Sequence, residues 1–520
     1  MPQQYHITLD GVGLMLARSG RQYAYQEKQA PTFVPIFGTG ERSSSEGDFW
    51  SKLRISSWHN GIPQYEMSDE DTFRYGFGLE TRTQNRLRLA HVPTIAIATS
   101  QDGFKQIVEF QNQLYGITPS TNQIWRSNNG STWTMDLQAS FANSIGCLFV
   151  KSPPARIGTS GESYSLPVLY AGSGNSRHVY GKVSGGSWAM HYSLPARIGG
   201  ITAMAEGYTD TGAAGDAGPP YLFLGCVASN GAELLIDVNN YSNTDTITGV
   251  PLYKWSHIES LLYSDTQGAG KVYIATSERT SKQGAFGIAR KFSTNYLYDE
   301  LVRFSDNYIV DLLEHNAQVY AGLKDKGKLW RYTGSNFVPL LELSQPDSQY
   351  SYPIDGLFEA DGALWCPIQV TGQGVGLIGY DGTGWSIGPY LASSGTPLPG
   401  AAYFNGKMYF SEFAVGAAKL YYVDPTKWHP SCQMHTSWFY AGFRDIDKGW
   451  KEVTINMLGL VTGESIKVYY CLADSGYLSV GESFESTARK DSATTATWDT
   501  AAGQIRLDGM AAQPFVGKIP

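Results

Sequence analysis

An apolar residue followed by a tyrosine or tryptophan recurs through the middle of the chain: Leu114-Tyr115, Leu169-Tyr170, Val272-Tyr273, Val319-Tyr320, Leu364-Trp365 and Met408-Tyr409, with a weaker copy at Tyr221-Leu222-Phe223. The stride from one aromatic to the next is about 44 to 55 residues and shortens along the chain. In the first unit the pair sits in IVEFQNQLYGITPSTNQIWRSNNGSTW, residues 107–133. This stretch reads as a short strand (107–110), a tight polar turn, a second strand (114–117), a third around Ile124-Trp125, and a Gly/Ser turn closed by Trp133 where an outer strand begins.

The echoes keep this internal spacing. Tyr115 to Trp125, Tyr170 to Tyr180 and Tyr320 to Trp330 are each ten residues apart. Trp133, Trp188 and Phe337 then close Gly-containing turns; Trp385 closes a similar one, and Trp428 follows an Asp-Pro turn. A sheet of four short strands must cover both apolar faces, and neighbouring copies of the same unit can do so. Repeats of this length with four strands each signify a β-propeller, whereas a sandwich has no reason to repeat an aromatic pattern at fixed offsets. The expected fold is therefore all-β: a seven-bladed β-propeller with an N-terminal extension and a small C-terminal β-sandwich-like domain. The blades fall at about 104–140, 144–195, 198–250, 255–304, 306–345, 352–393 and 397–430. Composition agrees, with Gly 58, Tyr 33 and Trp 13 against only 17% charged residues.

The seventh unit has three plausible strands, and the HPSCQMHTSW that follows makes a poor fourth. Just before the first unit lies HVPTIAIATS, a strand without a partner in its own unit. The segment 94–99 is expected to complete the seventh blade and so remove an open edge. The propeller then spans 91–430, with 91–100 as its closing strand. Residues 1–90 form an aromatic-bearing arm or small β-unit with a thin core, which needs the main body or a partner chain; Trp50, Trp58 and Tyr65 are its candidate contacts. Residues 431–520 show period-two alternation and read as the separate β-domain, with a three-strand cap on the propeller as the alternative.

The chemistry is sparse. A net charge of −8 with no basic stripe gives no grip on nucleic-acid phosphates. Five cysteines form no disulfide framework: Cys147, Cys226 and Cys366 sit in apolar runs, and only Cys432 and Cys471 have the placement for a bridge. The nine histidines are scattered, and the D-x-D-x-G at Asp445–Gly449 lacks the later oxygen ligands of a calcium loop, so neither metal nor cofactor is expected. The N-terminus lacks a signal-peptide pattern and no apolar run approaches membrane-spanning length; synthesis in a cytoplasm without membrane insertion is the expectation.

The turn closed by Trp133 resembles the Asp-box of sialidase-type propellers, S-x-D-x-G-x-T-W, with Arg126 in place of the Ser and Asn128 in place of the Asp. In that family the box is a structural turn, and catalysis needs an arginine triad and a Tyr–Glu pair that nothing here supports. PPARIG and LPARIG set Arg156 and Arg197 in similar contexts. They read either as a pair of anion-binding guanidiniums on one face or, more plainly, as a repeated turn. The connections at 152–167 and 206–220 are long where blades one, five, six and seven need only a few residues, and equivalent connections emerge on the same face, so the two are neighbours. Arg156, Tyr164, Arg197, Tyr208, Asp210 and Asp216 are the candidate interaction residues.

Two stretches outside the blades carry a wider resemblance. DFWSKLRISSWHNGIPQYEMSDEDTFRYGFGLET resembles the N-terminal segment of structural proteins of tailed bacteriophages. SWFYAGFRDIDKGWKEVTINMLGL followed by SIKVYYCLADSGYLSVGE is similar to the β-domains that follow the propeller in such proteins. The resemblance implies a non-enzymatic virion component of the tail, baseplate or fibre-attachment region. Its partners would be other tail proteins and copies of itself, with a bacterial surface glycan as a further candidate. The alternatives are a glycan-binding or glycan-hydrolysing propeller, and a bacterial cell-surface module that the missing signal peptide disfavours.

Overall fold

The computed structural model describes residues 73–82, 87–98, 103–118, 123–137, 144–152, 167–207, 221–237, 248–264, 271–292, 295–324, 327–342, 356–370, 374–382, 384–413 and 419–436, together with short strand segments elsewhere from Ile7–Leu9 to Val516–Gly517. Seven sheets follow one another along the chain, each an antiparallel up-and-down set. Blade one comprises Gln106–Phe110, Gln113–Ile117, Ile124–Ser127 and Thr134–Leu137. Blade two comprises Ile145–Lys151, Val168–Ser173, His178–Lys182 and Ala189–Ser193. Blades three, four and five run from Ile198 to Leu252, His257 to Phe304 and Ile309 to Glu342. Blade six (Phe358 to Ala392) gains an extra short strand, Tyr350–Ser351, beside its second. Each boundary agrees with the repeat read from the sequence.

Why the aromatic repeat builds a ring is visible in its direction. Tyr115, Tyr170, Phe223, Tyr273, Tyr320, Trp365 and Tyr409 are at most 3% exposed. Each belongs to the apolar cluster shared with the next blade rather than the previous one. Seven clusters thus fill seven seams, and Tyr409 closes the circle against blade one. A buried aromatic carries about 2–3 kcal/mol of transfer free energy, so the ring is held by one large apolar knob per seam.

A second repeat escaped the sequence reading. An apolar-x-x-apolar step recurs in the sequence within or just ahead of every inner strand: Phe104-Lys105-Gln106-Ile107, Ile145-Gly146-Cys147-Leu148, Ile201-Thr202-Ala203-Met204, Ile258-Glu259-Ser260-Leu261, Ile309-Val310-Asp311-Leu312, Ile354-Asp355-Gly356-Leu357 and Leu398-Pro399-Gly400-Ala401. Its two middle residues make the joint to the next blade. At four seams a side chain reaches across. Lys105 Nζ donates to Ile145 O (2.5 Å), and Gln106 bonds both Leu148 N (2.8 Å) and Leu148 O (3.0 Å). Thr202 Oγ1 donates to Ile258 O (2.6 Å), while Ser260 Oγ and Asp311 Oδ2 accept from Leu312 N (3.3 Å) and Leu357 N (2.9 Å). At the other three seams a glycine lets the backbones meet: a Cβ on Gly146, Gly356 or Gly400 would strike the carbonyl oxygen of Ile201, Pro399 or Phe104.

The ring closes where the unpaired strand pointed. His91–Ala98 is the outer strand of blade seven, with Thr94 opposite Tyr422 and Ile95 opposite Tyr421. Trp428, however, closes no turn. It ends the third strand, Lys419–Trp428, which carries an irregularity after Asp424, and its ring lies 4.1 Å from that of His91.

The chain ends are joined, not separate. Phe73–Phe77 pairs with Ser431–Thr436, which pairs with Gly503–Met510 and through it with Ser465–Leu472. Leu79–Glu80 and Leu87–Leu89 form a further sheet with Val516–Gly517 and Met457–Leu458. The segment just before the propeller therefore shares its sheets with the C-terminal strands. It also leans on blade six, where the Phe77 and Tyr390 rings are 4.8 Å apart and Arg82 lies 4.9 Å above Trp365.

Candidate functional site: the insertion-bearing face

Antiparallel strands sort the connections. The first-to-second and third-to-outer connections emerge on one face, here termed the hairpin face, and the chain enters each blade on the other. In blades one, five, six and seven the first connection is a two-residue turn with both φ values positive: Gln111-Asn112 (51°, 59°), Asn316-Ala317 (48°, 59°), Asp361-Gly362 (49°, 69°) and Asn405-Gly406 (48°, 73°). These are the tight hairpin turns that match strand twist. In those blades the first connection adds only its two turn residues to the hairpin face.

Blades two and three break the pattern. The blade-two insertion holds its own two-stranded hairpin, with Ala155–Ile157 paired to Glu162–Tyr164, so it is not the unstructured loop its composition suggests. The blade-three connection, residues 208–220, lies outside the described residues, as do the candidate residues Tyr208, Asp210 and Asp216. The roots of the two insertions meet. Ser152 N donates to Glu206 Oε2 (2.8 Å), and Lys151 Nζ, on a side chain 4% exposed, lies 3.9 Å from the same oxygen. A carboxylate at the end of the first strand of blade three thus grips the first residue of the blade-two insertion.

A second ionic tie stiffens the face one seam earlier. Asp136, on the outer strand of blade one, accepts from Lys182 Nζ (2.5 Å) and Trp188 Nε1 (2.9 Å) of blade two and lies 3.2 Å from Arg126 Nε. Lys182 also sits 5.5 Å over the Tyr115 ring, and burial raises the Tyr115 phenol above its ordinary range. Removing one partner of such a buried pair leaves an uncompensated charge, which costs about 3–5 kcal/mol. Sequence reasoning missed these residues. Their one signal is a lysine that ends an apolar strand, in FVK and VYGK.

Arg156 and Arg197 are not brought together. Arg156 lies in the insertion hairpin on the hairpin face, opposite Ser163, and its side chain falls outside the described residues. Arg197 lies in the turn that enters blade three, on the other face, and is held by Glu233 through Nε–Oε2 (2.8 Å) and Nη2–Oε1 (2.7 Å). The two arginines do not share one face, and the two P-A-R-I-G copies differ in structure: Ala155–Ile157 is a strand, whereas Ala196-Arg197 is a turn. Tyr164, opposite Ala155, lies in the hairpin with its side chain likewise outside the described residues, as are Trp50, Trp58 and Tyr65 altogether.

The Asp-box-like turn is real, in a register one residue later than expected. Asn129 Oδ1 accepts from Ser131 N (2.9 Å) and Thr132 N (2.8 Å), and Ser127 Oγ accepts from Gly130 N (2.8 Å) and donates to Thr132 O (2.7 Å). Trp133 Nε1 donates to Gly130 O (3.0 Å). Ser127 and Asn129, not Arg126 and Asn128, thus hold the turn. Gly130 (φ 73°) leaves the space that the Tyr409 hydroxyl fills, so the turn is the socket for the last aromatic knob.

Among the described residues no group of three His, Cys, Asp or Glu side chains lies together in a way that could hold a metal ion, and no helix is long and apolar enough to cross a membrane. Cys147 and Cys226 are buried thiols, that of Cys147 pushed up to about 12 by burial, and so act as core residues. Cys432 is buried too, and the side chain of Cys471, its one candidate partner, lies outside the described residues.

No known family's sequence profile matches the chain, and no curated protein matches it. Solved structures resemble it in outline. Virginiamycin B lyase from Staphylococcus aureus is 13% identical with a TM-score of 0.43, over 62% of this chain and 95% of that one. A puromycin-hydrolyzing peptidase from Mycobacterium tuberculosis is 10% identical with a TM-score of 0.44, over 64% and 52%. The Cps50 (Swd1) beta-propeller domain of Myceliophteria thermophila is 8% identical with a TM-score of 0.43, over 63% and 99%. Such distant likenesses speak to no function; the seven-bladed propeller rests on this chain's own sheets.

Proposed function

We propose that this chain is a non-enzymatic structural component of a tailed-bacteriophage virion, associated with the tail, and that the propeller presents the blade-two and blade-three insertions to neighbouring tail proteins or to the host surface. The observation that supports this most is the Glu206 tie. It ties the roots of two long insertions together on a face where blades one, five, six and seven make the same connection in two residues. A rigid scaffold that concentrates its irregular chain in one place is built for contact. The sheets shared between residues 73–89 and the C-terminal strands suit an assembly role as well, because they brace the end from which the aromatic arm, residues 1–72, departs.

The test is the composition of the particle. Virions purified from a strain that encodes this chain are expected to contain it, at a copy number set by tail symmetry. Replacing residues 155–164 by a two-residue Asn-Gly turn is expected to leave the purified chain folded while lowering its incorporation. Absence of the chain from intact virions, together with glycan binding or hydrolysis by the isolated chain, refutes the assignment.

A further inference from the structure

The hairpin face also holds a feature that the contact role does not use. Between blades five and six, three buried polar groups of blade five face the seam. Arg331, on the third strand, is 7% exposed, and neither its Nε nor its Nη1 has a hydrogen-bond partner. It stands opposite Tyr320, whose ring belongs to the blade five–six cluster, so its side chain points into that seam. Two residues before Tyr320, on the same side of the sheet, Gln318 carries a buried Oε1 that is also unpartnered. Opposite Gln318 stands His315, with a side chain fully buried. Asn316 Nδ2 bonds His315 Nε2 at 2.9 Å, which leaves the ring proton on Nδ1. That Nδ1 is 3.5 Å from Glu359 Oε2 of blade six, without hydrogen-bond geometry.

His315 and Gln318 stand opposite each other beside the first turn, and Arg331 lies two residues further along the sheet on the third strand. Among the described residues, the two-residue turns Asn316-Ala317 and Asp361-Gly362 and the turn from Thr333 to Asn336 stand at this end of the two blades. Next to Arg331, on the outer strand, Val338 is 36% exposed, so the guanidinium lies one residue beneath the rim. A buried guanidinium with two of its nitrogens unbonded, and with no ion pair among the described residues, is among the most costly arrangements a core can contain. Inert core positions do not need one. The remaining walls, Tyr320, Leu341 and Trp385, are apolar, which strengthens any charge pairing made there.

We infer that the blade five–six seam is a carboxylate-binding site, in which Arg331 receives the anion while His315 Nδ1–H supplies a flanking donor. The fork of Arg331 suits the two oxygens of a carboxylate. The inference is independent of the virion assignment.

The test uses the full chain in thermal unfolding, titrated with sodium acetate against sodium chloride of equal ionic strength. The expected result is a saturable rise in Tm with acetate, of roughly 1–3 °C, that chloride does not give. Arg331→Met is expected to abolish the rise and to be at least as stable as the parent in acetate-free buffer. A blocked glutamyl peptide that saturates at about tenfold lower concentration assigns the anion to a polypeptide; equal saturation assigns it to a free acid. No saturable acetate response in the parent chain overturns the inference, even if Arg331→Met fails to fold. A response to inorganic phosphate alone overturns the carboxylate assignment. A folded Arg331→Met that is clearly less stable in acetate-free buffer shows Arg331 to be satisfied internally and also overturns it.

Discussion

Blades two and five are the same four-stranded unit and differ in what they do with one connection. Blade five closes its first hairpin with Asn316-Ala317, while blade two spends residues 152–167 on the same step and builds a second hairpin there. Their inner joints differ in kind as well. Blade two meets its neighbour by backbone contact at Gly146, and blade five by the carboxylate of Asp311. The blade with the added chain has the closest-fitting joint, and the blade with the bare turn has a polar one. The comparison teaches that a ring of this kind tolerates variation outside its strands because the joints lie at the inner end of each blade.

The comparison breaks most directly at Gly146. Gly146→Ala sets a Cβ against the Ile201 carbonyl and is expected to destabilise by about 3 kcal/mol, read as a lower denaturation midpoint. Asp311→Ala strips the acceptor from Leu357 N and is expected to cost about 1–2 kcal/mol, largely restored by Asn. If the two costs are reversed, the backbone joint is not the stiffer one. Acid acts outside both blades, at His429, where propeller and end sheets meet. Burial lowers its pKa below the ordinary 6.5. The unfolded chain then binds the proton first, so this contribution is intact above about pH 6.5 and declines as pH falls toward the lowered folded value. His429→Gln is expected to flatten that part of the stability profile. Glu206→Gln keeps an oxygen for Ser152 N and loses the attraction to Lys151; a change within about 1 kcal/mol is expected. Should it prove severe, the insertions are a pillar of the fold and not an addition to it.

The blades were legible because the second-strand aromatic serves the same seam each time, and a role repeated in space leaves a repeat in sequence. The inner apolar-x-x-apolar step was equally regular and went unread. Its middle residues solve one problem in two ways, with a reaching side chain at Asp311 or no side chain at Gly146. The box turn was misaligned because Ser127 and Asn129 sit one place beyond the family pattern. Sheets shared by residues 73–89 and the C-terminal strands join segments some 350 residues apart, and so leave no local pattern at all. The unpartnered Arg331 looked like any arginine beside a tryptophan, for burial without a partner is a property of the folded seam alone.

The closing strand has a consequence for how the chain reaches this state. His91–Ala98 leaves the ribosome before any blade, and its partner Lys419–Trp428 leaves after six blades and most of the seventh. Until then the growing product is an open arc with an apolar seam exposed at blade one, the kind of intermediate that associates with its neighbours. The entropy of bringing such distant segments together grows only slowly with their separation, so closure is feasible but late. Folding is thus expected to end where unfolding begins, at the join between blades seven and one, and shortening the wait for that join should raise yield without changing the final stability.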